Sequence, residues 1–118
     1  MTPEEERQVN LEIVRAKWPK AEIFRGRTGF VSSSLSIGGY GDDFFPWFTR
    51  SVDSCLAVIP KDWEVSFERD CSEPFATITF YKGSKDKLQF YYQGKHGSTR
   101  AEALALVLVE AIRAGEKL

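Results

Sequence analysis

Apolar residues recur every three to four positions in three parts of the chain, which is the spacing of an amphipathic helix. This spacing predicts helices over residues 3–18, 49–60 and 100–114. The pattern Thr-x-x-Glu at 2–5 and again at 99–102 predicts a capping box at the start of the first and last helices. Proline follows the first helix and glycine follows the last one, and both residues are typical of helix ends.

Between the second and third helices, apolar and polar residues alternate, which predicts β-strands. Three such segments cover residues 63–68, 75–81 and 88–93, and their short connections predict an antiparallel meander. Shorter strands are predicted at 23–25 and within 30–37. The alternation assigns to the core face Trp63, Val65, Phe67, Ala76, Ile78, Phe80, Leu88, Phe90 and Tyr92. It assigns to the polar face Glu64, Glu68, Thr77, Thr79, Tyr81, Gln89, Tyr91 and Gln93.

These elements predict one α+β domain over residues 1–118, with a three-stranded or longer antiparallel sheet packed with helices. Hydrophobic residues make up 42% of the chain and charged residues 28%, close to the averages of globular domains, which argues against a disordered chain. One apolar sheet face requires one layer of helices. The first helix is a candidate to cover the other face.

The charge of the chain is nearly balanced, with 16 basic residues, 17 acidic residues and a net charge of −1. Proteins that bind nucleic acid usually carry a basic excess, because neutralising phosphates supplies much of their affinity. Nucleic acid is therefore a disfavoured partner. No apolar run reaches the roughly 20 residues of a membrane span, and the acidic residues 4–6 do not fit a signal peptide. We predict a cytoplasmic protein without membrane contact.

Few residues could hold a metal or act as a catalytic base. Cys55, Cys71 and the single histidine, His96, cannot form a CxxC-type zinc site, and we predict free thiols and no cofactor. His96 would have to serve any Ser/His/Asp or Cys/His centre, but a loop residue in solvent is the favoured interpretation. Asp42 and Asp43 resemble a cation-binding pair without the further acids of an EF-hand, and turn residues are favoured there too.

Residues 45–113 resemble the phage ABA sandwich domain family, small proteins of phages and prophages. The likeness rests first on residues 46–63, PWFTRSVDSCLAVIPKDW, a short helix followed by proline and by a tryptophan that begins a strand. It rests second on residues 96–105, HGSTRAEALA, a turn that leads into an alanine-rich helix. The resemblance implies an α/β/α-type sandwich and a location in a bacterial host cell. It implies no catalytic residues, because the family has no established activity.

The aromatic segment at residues 44–48, Phe-Phe-Pro-Trp-Phe, is the most unusual local feature of the sequence. Aromatic residues and arginine are enriched at the centres of protein interfaces. Phe45, Trp47, Phe48 and Arg50 are therefore the predicted partner-binding residues. The alternative, which we favour because large apolar residues usually lie inside, is that this segment packs onto the core.

Two apolar residues of the last helix, Leu106 and Val109, lie on its charged side. They either meet another element of the same chain or form a contact in a homodimer. A homodimer through Leu106 and Val109 is therefore one predicted assembly.

The predicted function is that of a small, non-enzymatic phage or prophage accessory protein that binds another protein. An inhibitor of a host protein or defence system is one such class. The alternative is a nucleic-acid-binding accessory protein, in which Tyr81 and Tyr91 would stack on RNA bases. Glu64 and Glu68 share their predicted sheet face and would repel phosphate. A small hydrolase-type enzyme centred on His96, or an enzyme using the Asp42–Asp43 pair, ranks lower.

Overall fold

The computed structural model describes residues 1–19, 23–25, 30–32, 47–68 and 72–118, with the backbone alone at 23–25 and 30–32. The helices are α1 (Pro3–Lys17), a 3₁₀ helix (Phe48–Arg50), α2 (Val52–Val58) and α3 (Arg100–Arg113). The strands are β1 (Ile23–Arg25), β2 (Phe30–Ser32), β3 (Glu64–Glu68), β4 (Phe75–Lys82) and β5 (Gln89–His96).

Side-chain caps begin each of the α-helices. Thr2 Oγ1 accepts a hydrogen bond from the backbone N–H of Glu5 at 3.2 Å, and Thr99 Oγ1 accepts one from Glu102 at 3.1 Å. Both caps satisfy backbone donors that a helix leaves without an internal partner. The second predicted helix differs in its start: residues 48–50 form a 3₁₀ turn, and α2 begins after it with Ser51 as its cap.

The strands form two antiparallel sheets in the described part of the chain. β1 pairs with β2 in a short ribbon, and β3, β4 and β5 form a meander with β4 in the centre. The predicted α+β class and the three-stranded antiparallel sheet are therefore confirmed. Each neighbour in the meander follows its predecessor directly along the chain, as the short predicted connections required.

The register of β5 differs from the prediction by one residue. Phe80 faces Tyr91, and Tyr81 faces Phe90. Tyr91 is half-buried, and its ring stacks on that of Phe80 with centroids 4.6 Å apart. The assignment of Phe90 and Tyr92 to the core face and of Tyr91 to the polar face was thus wrong. Because side chains alternate along a strand, one residue of register moves every side chain of β5 to the opposite face.

α3 is the central element of the core. It contacts α1, α2, the 3₁₀ helix, β4 and β5, and eight of its side chains are buried. Its buried residues are Ala101, Ala103, Leu104, Ala105, Val107, Leu108, Val109 and Ala111. The chain before α3 lies close to the helix backbone: a Cβ at Gly97 would lie 2.5 Å from the backbone nitrogen of Ala103.

The first helix packs on α3 and on the 3₁₀ helix. Val9, Ile13 and Val14 are buried there, and Arg113 of α3 forms a two-pronged ion pair with Glu12 of α1 at 3.1 Å. α1 therefore packs against α3. The sequence had left open whether this helix covers the other face of the sheet. Within the described residues, no helix is long and apolar enough to cross a bilayer.

Candidate functional site

Three aromatic side chains lie exposed on the side of the meander that faces away from α3. Tyr81 is 67% exposed, Phe90 59% and Tyr92 55%, and together we call them the aromatic patch. Leu88, directly before β5, is 60% exposed at the same end of the sheet. We call this side of the meander the outer face. Single exposed apolar residues are common on proteins, but a group of neighbouring exposed rings is a candidate contact surface.

Neighbouring strands hold the aromatic patch together. Tyr81 and Phe90 lie directly opposite each other in β4 and β5, and their ring centroids are 5.2 Å apart in a tilted arrangement. Tyr92 faces Thr79, two residues along from that pair on the same face. Cross-strand aromatic pairs of this kind stabilise a sheet and fix the orientation of the rings.

Carboxylates border the aromatic patch along β3. Glu64 faces Thr79, which in turn faces Tyr92, so that the three lie in one row across the sheet. With neighbouring strands about 4.8 Å apart, the backbone of Glu64 lies roughly 10 Å from that of Tyr92. Glu68 lies four residues further along β3 on the same face and is also exposed. The outer face is thus acidic along one edge and aromatic along the other.

A hollow of about 90 Å³ lies at one end of the outer face. It is lined by six residues: Asp62, Glu64, Thr79, Phe80, Tyr81 and Phe90. This volume is well below the roughly 300 Å³ at which small-molecule sites begin. The hollow suits one side chain rather than a whole metabolite.

The turn between β4 and β5 determines which rings reach the outer face. Gly83 has φ +107°, and a Cβ there would lie 2.2 Å from the carbonyl oxygen of Lys87. The backbone N–H of Lys87 donates to the carbonyl of Ser84 at 3.0 Å and closes the turn. Turn geometry sets register in a hairpin, so this turn places Phe90 opposite Tyr81. The hydrophobic pattern missed the site because Phe90 and Tyr92 are as apolar as core residues, and no local signal in the sequence showed how this turn aligns the two strands.

The structure describes three of the four residues predicted to bind a partner, Trp47, Phe48 and Arg50. Phe48 is fully buried and belongs to the core. Trp47 is half-buried, and the guanidinium of Arg50 lies 4.6 Å from the centre of its ring, a cation–π contact. Phe45 lies outside the described residues. Phe48 therefore packs in the core, as the favoured alternative for this segment predicted. A binding role for Trp47 and Arg50 stays a prediction.

Arg50 also belongs to a polar cluster between α1 and the 3₁₀ helix. Asn10, which is fully buried, donates to Thr49 Oγ1 at 3.0 Å and accepts from the Thr49 backbone N–H at 3.3 Å. Glu6 Oε1 accepts from Thr49 Oγ1 at 2.9 Å and from Arg50 Nε at 2.6 Å. Burial would raise the pKa of Glu6, but the hydrogen bonds of Arg50 and Thr49 and the charge of Arg50 lower this pKa below its ordinary value.

The two residues predicted as a homodimer contact face their own chain. Val109 is 2% exposed and lies in the core, and Leu106 is half-buried against it. Leu106 and Val9 line a groove of about 440 Å³ between α1 and α3. Contact with another element of the same chain is therefore observed for both residues, and the homodimer stays a prediction.

The remaining candidate residues are not gathered into a site in the described part of the chain. His96 is exposed at the end of β5, where its ring lies 4.6 Å from that of Phe75. Cys55 is fully buried, and burial raises the pKa of its thiol to about 12. Cys71, Asp42 and Asp43 lie outside the described residues. Among those described, no three His, Cys, Asp or Glu side chains are grouped as metal ligands.

Comparisons with protein-family models, with curated protein sequences and with solved structures found no match to this chain. The phage ABA sandwich resemblance therefore stays a prediction.

Proposed function

We propose that this protein is a non-enzymatic binding protein that acts through protein contacts, with the outer face as its contact surface. The observation that supports the proposal is the aromatic patch, in which Tyr81, Phe90 and Tyr92 are each more than half exposed. Fully burying one such ring is worth roughly 1.5–3 kcal/mol. A partner that covers all three would gain enough to offset much of the entropy that association costs.

Polar residues beside the patch favour a protein over a nucleic acid as the partner. Exposed rings on a sheet also stack on unpaired bases, and that binding mode needs cations that follow the phosphates. Here Glu64 and Glu68 lie on the same face as the rings. The chain as a whole carries a net charge of −1. Nucleic acid binding is therefore the competing outcome of the test rather than the proposal.

The phage or prophage origin and a host protein as the partner rest on the family resemblance alone. They decide only the material for the test, which is a bacterial lysate. The proposed contact surface does not depend on that origin.

The proposal is tested by photocrosslinking from the surface itself. Tyr92 is replaced by benzoylphenylalanine, and the protein is irradiated in lysate and analysed by mass spectrometry. The same probe at Leu56, which is 45% exposed on α2, is the matched control. We expect a discrete crosslinked protein from position 92 that is absent from position 56.

A double variant connects the crosslink to the rings. Phe90→Thr with Tyr92→Thr keeps β-branched strand formers but removes the exposed rings. We expect this variant, captured by an affinity tag, to lose the crosslinked partner, whereas Leu56→Gln retains it. Equal recovery of that partner by the double variant, or crosslinking to nucleic acid alone, would contradict the proposal.

A further inference from the structure

The geometry points to the chemistry of the partner: we infer that the outer face binds a protein segment that carries a lysine or arginine next to an apolar side chain. The cation enters the hollow lined by Asp62, Glu64, Tyr81 and Phe90, and the apolar neighbour packs on Tyr92. This inference rests on the proposed function, because it names the class of segment that the same surface recognises.

The first argument is the pairing of charges across the molecule. Glu6, Glu12, Glu110 and Glu116 each form an ion pair with Lys or Arg of the same chain. No such ion pair involves Asp62, Glu64 or Glu68 among the described residues. The carboxylates of the outer face are thus available to a cation from another molecule.

The second argument is the combination of groups around the hollow. Lysine and arginine have an apolar stem and a charged head, and they place the stem on apolar surface while the head meets a carboxylate. Tyr81 and Phe90 offer ring surface for the stem and for a cation–π contact. Asp62 and Glu64 offer acceptors for the head. Lys85 and Lys87 lie in the adjacent turn and do not line the hollow.

The same groups argue against a second copy of this chain as the occupant. The outer-face positions of β3, β4 and β5 include no lysine or arginine, so packing two outer faces together would bury Glu64 and Glu68 of both copies without a cationic partner from these strands, which is costly. An acidic segment is disfavoured for the same reason. A basic segment neutralises this border and covers the rings at the same time.

The inference is tested with three fluorescent ten-residue peptides that differ at one position. Their central sequences are Leu-Arg-Leu, Leu-Gln-Leu and Leu-Glu-Leu, and binding is followed by fluorescence anisotropy and by amide shifts in NMR spectra. An exposed ion pair and a cation–π contact are each modest contributions to affinity. We expect the arginine peptide to bind about tenfold more tightly than the glutamine peptide, with the glutamate peptide weakest. The shifts should centre on Glu64, Tyr81 and Phe90.

A charge-matched pair of double variants locates the effect. Asp62→Asn with Glu64→Gln should remove the preference for arginine, whereas Glu4→Gln with Glu5→Gln, the same change in net charge on α1, should keep it. An equal preference in both double variants would show a general charge effect and overturn the inference. Tight binding of a single-stranded oligonucleotide in place of the peptides would overturn it as well.

The two proposals fail in distinguishable ways. If no peptide preference exists but affinity capture of the crosslinked partner is still lost in the Phe90→Thr and Tyr92→Thr double variant, the partner class is wrong and the binding surface stands. If the double variant captures that partner as well as the unchanged protein does, the proposed function itself is wrong.

Discussion

Side-chain contacts of Glu6 lower the pKa of its carboxyl group. Thr49 and Arg50 both donate to its carboxylate, and Asn10 beneath it has its polar atoms satisfied by Thr49 and by the Glu6 backbone carbonyl. The sequence showed Glu6 only as one of three acids in the first turn of α1. Its partners are more than 40 positions away along the chain, and no local pattern connects them.

We predict that Glu6→Gln lowers the free energy of unfolding by about 1–2 kcal/mol at pH 7, because hydrogen bonds to a charged group are lost. Since the folded pKa of Glu6 lies below its ordinary value of 4.5, its contribution is complete above that pH and disappears as the pH falls through the folded pKa. Denaturant titrations from pH 7 to 3 should show the difference between the two proteins narrowing. Glu4→Gln, at an exposed ion pair, serves as the control. A difference that does not change with pH would contradict this account.

Cys55 should be inert towards alkylating reagents while the protein is folded. Its thiol is fully buried, donates to the carbonyl of Phe48 at 3.1 Å and has a pKa raised to about 12 by burial, so almost no thiolate forms near neutral pH. In a Cys71→Ser variant, iodoacetamide at pH 8 should label the protein only after denaturant is added. Rapid labelling in buffer would show that this part of the core opens readily.

At the scale of elements, the helices and the three strands of the meander could be predicted because each carries its own local signal. Thr2, Thr99 and Gly115 mark helix ends by side-chain capping and backbone conformation, which act within a few residues. The register of β5 could not be predicted in the same way. It depends on how the turn at Gly83 aligns the two strands, and the set of side chains that this register turns towards α3 is the less apolar one, which includes Tyr91.

Neighbouring tyrosines test that register directly. Tyr91 stacks on Phe80 at the core face, whereas Tyr92 is 55% exposed. We expect Tyr91→Ala to lower the free energy of unfolding by about 2 kcal/mol and Tyr92→Ala to lower it by less than about 1 kcal/mol. Chemical denaturation of the two variants measures both values. The predicted alternation, which placed Tyr92 inside, requires the opposite order.

Gly83→Ala should destabilise the turn that sets the register. The positive φ is strained for alanine, and the new methyl group would meet the carbonyl of Lys87 at 2.2 Å. We expect a loss of about 2–3 kcal/mol in thermal or chemical unfolding. Gly115→Ala is the matched control, because its φ is +93° but no atom lies within 4 Å of the added group. Similar losses in both variants would show that backbone conformation alone matters at Gly83.

At the scale of the whole molecule, the two sides of the meander differ in what they contact. One side of the meander packs on α3, and the other presents rings beside carboxylates. The sequence predicted a binding protein, but it placed the binding residues at 45–50, where Phe48 is part of the core. An exposed patch arises from the folded arrangement of strands, so it became visible only when the pairing of β4 with β5 was known.

We predict that the protein is monomeric at neutral pH despite its exposed rings. Burying Glu64 and Glu68 without a cationic partner opposes contact between outer faces, and Val109 is covered by the chain itself. Replacing both residues, Glu64→Gln with Glu68→Gln, removes these charges, and self-association should then increase. Light scattering over a concentration series of both proteins measures the change. A stable dimer at pH 7 that persists in the Phe90→Thr and Tyr92→Thr double variant would contradict this prediction.

The central position of α3 has a consequence for synthesis of the chain. Because α1, α2, the 3₁₀ helix, β4 and β5 all pack on α3, each of them keeps part of its apolar side uncovered until residues up to Arg113 have left the ribosome. The nascent chain therefore carries uncovered apolar segments until then, and a chaperone that binds such segments has its longest opportunity before α3 emerges. Folding should then occur in one late step, and a nascent chain stalled before Thr99 should remain sensitive to protease along its length.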